Sequence, residues 1–128
     1  MLRNFIALIN RRYIVAGQHS CRGLKDAFLN EEAFRVQVAL SVILVPLAYF
    51  IANNYQQLLM LIITLILVLI VELLNTAIEI VIDRIGPEFN DLSGRAKDIG
   101  SAAVALSMLL FLVVWGCVLV ANVGVINT

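Results

Sequence analysis

Charge is absent from two long stretches of the chain, positions 36–71 and 99–128, and every acidic and basic residue lies before 36 or between 72 and 98. A helix crosses a bilayer with about 20 apolar residues, so both stretches are long enough. A polar turn, Asn53-Asn54-Tyr55-Gln56-Gln57, divides the first. The pattern predicts three spans, at about 34–52 (containing Pro46), 58–82 and 95–122, with Gly86-Pro87 breaking the helix after the second. Lipid leaves the backbone of an open strand unsatisfied, so the spans are read as helices. Within 1–33 the segment 23–29 is amphipathic: Leu24 and Phe28 sit one turn apart, with Lys25 and Asp26 elsewhere. It reads as a helix lying on the membrane surface, where its basic residues also suit anionic lipid. The fold class expected is an all-α membrane protein: three transmembrane helices plus an N-terminal amphipathic surface helix, in a single membrane domain over 1–128.

Composition supports this. Of 128 residues, 62% are hydrophobic and 14% charged, with mean hydropathy +0.97, against about 45–50% and about 25% in soluble domains. So small a soluble fold has no interior large enough for that apolar surface. An ordinary soluble enzyme and a disordered chain are excluded. The formal net charge is zero, which leaves no basic field for nucleic acid. Cys21 and Cys117 are too few and too far apart for a disulfide scaffold and read as packing residues. The short apolar run 5–9 meets Asn10-Arg11-Arg12 and does not read as a signal peptide.

Six basic residues, Arg3, Arg11, Arg12, Arg22, Lys25 and Arg35, precede the first span, and Arg84, Arg95 and Lys97 lie in the second connection. The first connection and the C-terminal end carry none. The positive-inside rule therefore predicts a cytoplasmic N-terminus and second loop, and an external C-terminus.

The second span holds the chemistry. At about 100° per residue, Glu72, Thr76, Glu79 and Asp83 share a narrow stripe, with Asn75 beside it. With the hydrocarbon starting at Leu58, a rise of 1.5 Å per residue places Glu72 about 21 Å deep, Glu79 about 31 Å and Asp83 about 37 Å, in a layer about 30 Å thick. The stripe is a ladder from lipid to water. Asn75 and Thr76 also suit hydrogen bonding between helices. An acid inside the span is costly and marks function. Carboxylates near water, Glu79 and at similar depth Glu31, suit magnesium with phosphate oxygens. A deeper carboxylate, Glu72, suits a general base acting on a lipid hydroxyl at headgroup level. Arg95 and Lys97 at the start of the third helix suit phosphates, or simply set topology. Neither a Walker loop nor the protein-kinase motif set occurs.

Three motifs, Glu72-Leu73-Leu74-Asn75-Thr76-Ala77-Ile78-Glu79, Asp83-Arg84-Ile85-Gly86, and Leu92-Ser93-Gly94-Arg95-Ala96-Lys97-Asp98-Ile99-Gly100-Ser101-Ala102-Ala103-Val104, resemble the small prokaryotic diacylglycerol kinases. Gly23-Leu24 through Asn30-Glu31-Glu32-Ala33-Phe34-Arg35 matches in order and spacing, so the resemblance covers nearly the whole chain. It implies a homotrimeric, multi-pass enzyme of the bacterial inner membrane that moves the γ-phosphate of ATP to diacylglycerol, giving phosphatidic acid. It also implies that Glu72 is the catalytic base and that Glu31 and Glu79 hold magnesium bridging the ATP phosphates. By the same resemblance His19, Glu31, Asn75, Glu79, Asp83, Glu88, Phe89, Asn90, Lys97 and Asp98 meet ATP. Arg11 (or Arg12), Glu72, Ser101 and Trp115 meet the lipid.

Two departures stand out. Val36-Gln37 replaces two polar residues, the second acidic, in a region of lipid contact. Gln18 or His19, after a one-residue insertion, replaces a tyrosine near the nucleotide; His19 fits there, or is a plain surface histidine. Undecaprenol kinase of the same superfamily is the enzymatic alternative, and the loop 83–89 favours the diacylglycerol branch. A non-enzymatic oligomeric pore lined by the Glu72 stripe is the alternative of another class.

Overall fold

The computed structural model of the chain describes residues 2–86, 88 and 90–126, with side chains at 9–86, 88 and 90–124. Four helices follow one another: α1 (Leu2–Asn30), α2 (Glu32–Ile51), α3 (Tyr55–Ile85) and α4 (Asp91–Ile126). Of these, α2, α3 and α4 are long and apolar enough to cross a membrane. The N-terminal helix α1 is not, and apart from Ala27 its described side chains are exposed. The expected architecture, three spanning helices and one that does not span, is the observed one.

Local chemistry sets the helix ends. Glu31 alone separates α1 from α2, by taking an extended conformation (φ −106°, ψ 115°). Backbone bonds still bridge this elbow, Glu31 N–H donating to Ala27 O at 2.9 Å and Arg35 N–H to Glu31 O at 3.2 Å. The last carbonyls of α1 have no partner inside their own helix. Arg35 Nη1 supplies one, donating to Leu29 O at 2.9 Å and to Phe28 O at 3.3 Å, and its charge suits a helix C-terminus.

Both later helices begin on an asparagine, and earlier than the apolar pattern alone implies. Asn54 Oδ1 accepts from Gln57 N–H at 2.9 Å, while Gln57 Oε1 accepts from Asn53 N–H at 2.8 Å. Asn90 Oδ1 accepts from Leu92 N–H at 2.9 Å and Ser93 N–H at 3.4 Å. An asparagine before the first turn satisfies amides that the helix leaves open, so α3 starts at Tyr55 and α4 at Asp91. The C-terminal end of α3 falls at Gly86, whose φ of 140° is open to glycine and rarely to other residues. Pro87, the other half of the expected breaker, lies outside the described residues.

The central helix α3 packs along α4 and α2, and α1 lies against α2. A core of Ala48, Leu61, Leu65, Trp115 and Val118 fills the end where α2 finishes and α3 begins, with the Phe111 and Trp115 rings 5.1 Å apart and tilted by 43°. A polar staple closes this end. Asn122 Nδ2 donates to Ile51 O at 2.5 Å and to Gln57 Oε1 at 3.2 Å, and Asn122 Oδ1 accepts from Gln57 Nε2 at 3.0 Å. The C-terminal part of α4 is thereby tied to the α2–α3 turn. Most large apolar side chains stay exposed in the single chain, as a surface in contact with lipid or with other subunits requires.

The staple generates a prediction. Asn122→Leu should weaken the fold by about 1 kcal/mol, the usual scale of a side-chain hydrogen bond between membrane helices. SDS-titrated unfolding in mixed micelles measures it, and an unchanged midpoint would show that the staple adds nothing.

Candidate functional site

The C-terminal half of α3 contains neither glycine nor proline, so its side chains keep regular helical spacing and the polar stripe stays in register. Burial falls along it in the expected order. Glu72 and Thr76 are buried, Asn75 and Glu79 half-buried, and Asp83 exposed.

Each acidic rung has its own partner. Gln37 of α2 donates through Nε2 to Glu72 Oε2 at 2.9 Å, a bond between two buried side chains 35 positions apart. Asn75 Nδ2 donates to Glu79 Oε1 at 2.9 Å along one turn of α3. At the wet end Lys97 of α4 meets Asp83 of α3, Nζ to Oδ1, at 2.6 Å. That is the only ion pair among the described residues, so Glu72 is paired with a neutral amide and not with a cation.

Gly100 of α4 is buried directly against Asn75, whose Oδ1 has no hydrogen-bond partner. A Cβ at Gly100 would collide with that oxygen. Gly100 carries no site role in the sequence pattern, and Gln37 enters it only as a departure in a region of lipid contact. The signals were there: a glycine inside an otherwise regular helix, and a lone amide in an apolar run.

The other candidates are spread more widely. Glu31 sits half-buried at the α1–α2 elbow and makes no capping hydrogen bond. Arg11 and His19 are exposed on α1, and Asp98 and Ser101 are exposed on α4. Glu88 is exposed; Asn90, also exposed, commits its Oδ1 to capping α4. Phe89 lies outside the described residues. Trp115 is buried in the core at the far end, about 27 Å along α4 from Lys97 at 1.5 Å per residue, and its indole N–H has no partner. The structure thus joins Glu72 to Gln37, Asn75 to Glu79 and Asp83 to Lys97. It leaves Trp115 well apart from Lys97 and the wet end of the stripe.

Two grooves flank the stripe. One, of about 500 Å³, lies between α1 and α3 and is lined by Ser20, Gly23, Leu24, Leu73 and Thr76. The other, of about 210 Å³ and almost wholly apolar, runs between α2, α3 and α4 past Gln37, Leu40, Leu65, Met108 and Phe111. No cluster of three or more His, Cys, Asp or Glu occurs among the described residues. Magnesium takes only one or two protein carboxylates when phosphates complete its shell. Glu79, with one oxygen bound to Asn75, and the uncapped Glu31 have the hard oxygen chemistry that such an ion takes.

Comparison with known proteins agrees with the motifs. The family model described as "Prokaryotic diacylglycerol kinase" matches residues 18–119. A diacylglycerol kinase of Haemophilus influenzae is 46% identical over 102 residues, covering 80% of this chain and 86% of the relative. That of Escherichia coli K12 is 43% identical over 113 residues, covering 88% and 93%. That of Pseudomonas aeruginosa is 39% identical over 109 residues, covering 85% and 89%.

The contact between α3 and α4 yields a size-switch prediction. Gly100→Ala should cost about 1–3 kcal/mol of stability, the range for overpacking, and Asn75→Ala in the same chain should restore most of it. Thermal unfolding of the two variants in detergent decides this. Equal loss in the single and double variants would show that Asn75 is not what Gly100 makes room for.

Proposed function

The chain belongs to the prokaryotic diacylglycerol kinase family and is a lipid phosphotransferase of that kind, and from that premise we propose how its own residues perform the transfer. The observation that carries the reading is Glu72: a buried carboxylate with an amide for a partner, at the dry end of a polar stripe that reaches water at Asp83. A hydroxyl on a membrane lipid and a phosphate donor from water can meet only where such a stripe crosses the interface.

The γ-phosphate of ATP passes to the free hydroxyl of diacylglycerol, giving phosphatidic acid and ADP. Glu72 takes the hydroxyl proton as the lipid oxygen bonds to phosphorus and the bond to ADP breaks. Glu79 and Glu31 hold magnesium, which when bound neutralises charge on the phosphates. Asn75 orients Glu79 and, with Asp83, Lys97 and Asp98, lines the nucleotide; Glu88, Phe89 and Asn90 border it from the loop. Lys97 exchanges Asp83 for a phosphate oxygen. From α1, Arg11 and His19 close over lipid and nucleotide. Ser101 meets the lipid near its headgroup. Trp115, at the far end of α4 from Lys97, is placed toward the acyl chains.

The enzyme works in the bacterial inner membrane with the N-terminus in the cytoplasm and the C-terminus outside, as the distribution of lysine and arginine requires. It assembles as a homotrimer. In support, Ala77 and Ile80, on the side of α3 that lines the groove with α1, are exposed in one chain, and a polar stripe in lipid needs burial against neighbours.

Two predictions test this. Glu72→Gln keeps size and hydrogen bonding and should lower turnover by about 100-fold or more, the scale of a positioned base, with ATP binding little changed. Near-normal turnover, or a defect only in ATP binding, would show that another carboxylate is the base. Mixing inactive Glu72→Gln chains with inactive Lys97→Met chains should restore activity if sites are shared between subunits. Mixtures with no activity and no cross-linked trimers would exclude shared sites.

A further inference from the structure

No step above uses Gln37, yet it is the hydrogen-bonding partner that Glu72 has. It is 8% exposed, as deeply buried as the carboxylate it touches. Its Nε2 donates to Glu72 Oε2 at 2.9 Å, and its Oε1 is buried with no partner. The apolar groove lined by Leu40, Leu65 and Met108 adjoins it, so no charged side chain stands on that side. Its own backbone is held in α2, where Ser41 Oγ donates to Gln37 O at 2.8 Å.

We propose that Gln37 is the positioning residue of the base, one that partners Glu72 in both of its protonation states. The proposal rests on Glu72 being the base. Before transfer Glu72 is a carboxylate and needs a donor. After it has taken the lipid proton it is an acid, and its new O–H needs an acceptor. Lipid offers neither. A side-chain amide offers both, through two ends related by a half-turn about its last torsion, which is broad and roughly two-fold. The Nε2 end is engaged with the carboxylate. The unpartnered Oε1 end is the acceptor held in reserve. When the lipid O–H bond breaks and the Oε2–H bond of Glu72 forms, the amide turns and Oε1 accepts that hydrogen. No charge and no atom leaves Gln37, so the partner is unchanged over a cycle. This accounts for an amide at a position where the resembling pattern carries an acid, and for an orphaned oxygen beside the reacting group.

The experiment uses the full chain in lipid-containing micelles with magnesium-ATP and dioleoylglycerol. Gln37→Met keeps volume and loses both hydrogen-bonding ends. It should lower kcat by about tenfold to 100-fold, the cost of misplacing a catalytic group. KM for both substrates and the oligomeric state should not move, whereas a residue that only glued α2 to α3 would lower stability and leave kcat intact. Gln37→Glu should keep kcat within about threefold, because of two adjacent carboxyls one stays neutral and donates. Gln37→Asn is one methylene short of Oε2 and should behave like Met; it decides the matter with Gln37→Glu if the Met variant fails to fold. Gln37→Met added to Glu72→Gln should lower kcat no further. Full activity in Gln37→Met or Gln37→Asn, or an additive loss in the double variant, overturns the proposal. Full activity in Glu72→Gln would instead bring down the assignment of the base itself.

Discussion

Hydrocarbon has no hydrogen bond to give, and the arrangement of this chain follows from that. A polar group that enters the apolar layer is costly unless another helix or its own meets it, and among the described residues Gln37 Oε1, Asn75 Oδ1 and the Trp115 indole N–H are buried without a partner. Glu72 is met by Gln37, Glu79 by Asn75, and the Ile51 carbonyl by Asn122. The first pins α2 to α3 at the carboxylate end. The last pins α4 to the turn between them at the other end. Between these polar ties lies the apolar core around Leu61, Leu65 and Trp115, which fills space without fixing rotation. Apolar contacts hold the helices together, and a few polar ones hold them in register.

The same constraint sorts the acids of α3 by chemistry. Glu72 and Asp83 lie three turns apart on one stripe. Asp83 is exposed and pairs with Lys97 at 2.6 Å, as an acid near water can. Glu72 is buried and pairs with an amide. A cation beside Glu72 would compete with the proton that the proposed base takes up. At Asp83 the cation costs little, and it leaves an ammonium group poised where phosphates arrive. Between the two, Glu79 keeps one oxygen on Asn75 and is neither fully dry nor fully wet, the setting in which a carboxylate shares an ion with phosphate oxygens. Depth alone orders the proposed roles of base, metal ligand and nucleotide contact.

Much of this is legible in residue order because two periodicities carry it. Charge-free stretches of bilayer length mark α2, α3 and α4, and a 3.6-residue period marks the stripe. The helix starts lie outside the apolar windows because Asn54 and Asn90 extend α3 and α4 into polar sequence by capping them. The pairing of Gln37 with Glu72 and of Asn122 with Gln57 spans 35 and 65 positions. It depends on how the helices are rotated against one another, which neither composition nor period encodes. Gly100 was hidden for the same reason: its meaning is the Asn75 side chain that fits beside it. The resemblance supplied candidate roles for Arg11, His19, Ser101 and Trp115, yet in a single chain no hydrogen bond or ion pair among the described residues brings them to the carboxylates.

That lack of convergence has a physical reading. A lone chain with α3 between α2 and α4 can cover the stripe from two sides only. The groove between α1 and α3 leaves Thr76 at its wall, and Glu79 remains half-buried. A second copy packed against the exposed Ala77 and Ile80 would complete the enclosure and bring another chain's α1, with its Arg11 and His19, toward the open side. The graded burial of one helix and the proposed sharing of a site between copies would then have one origin. An acid kept dry enough to act on a lipid hydroxyl needs walls on all sides, and three spanning helices are too few to build them.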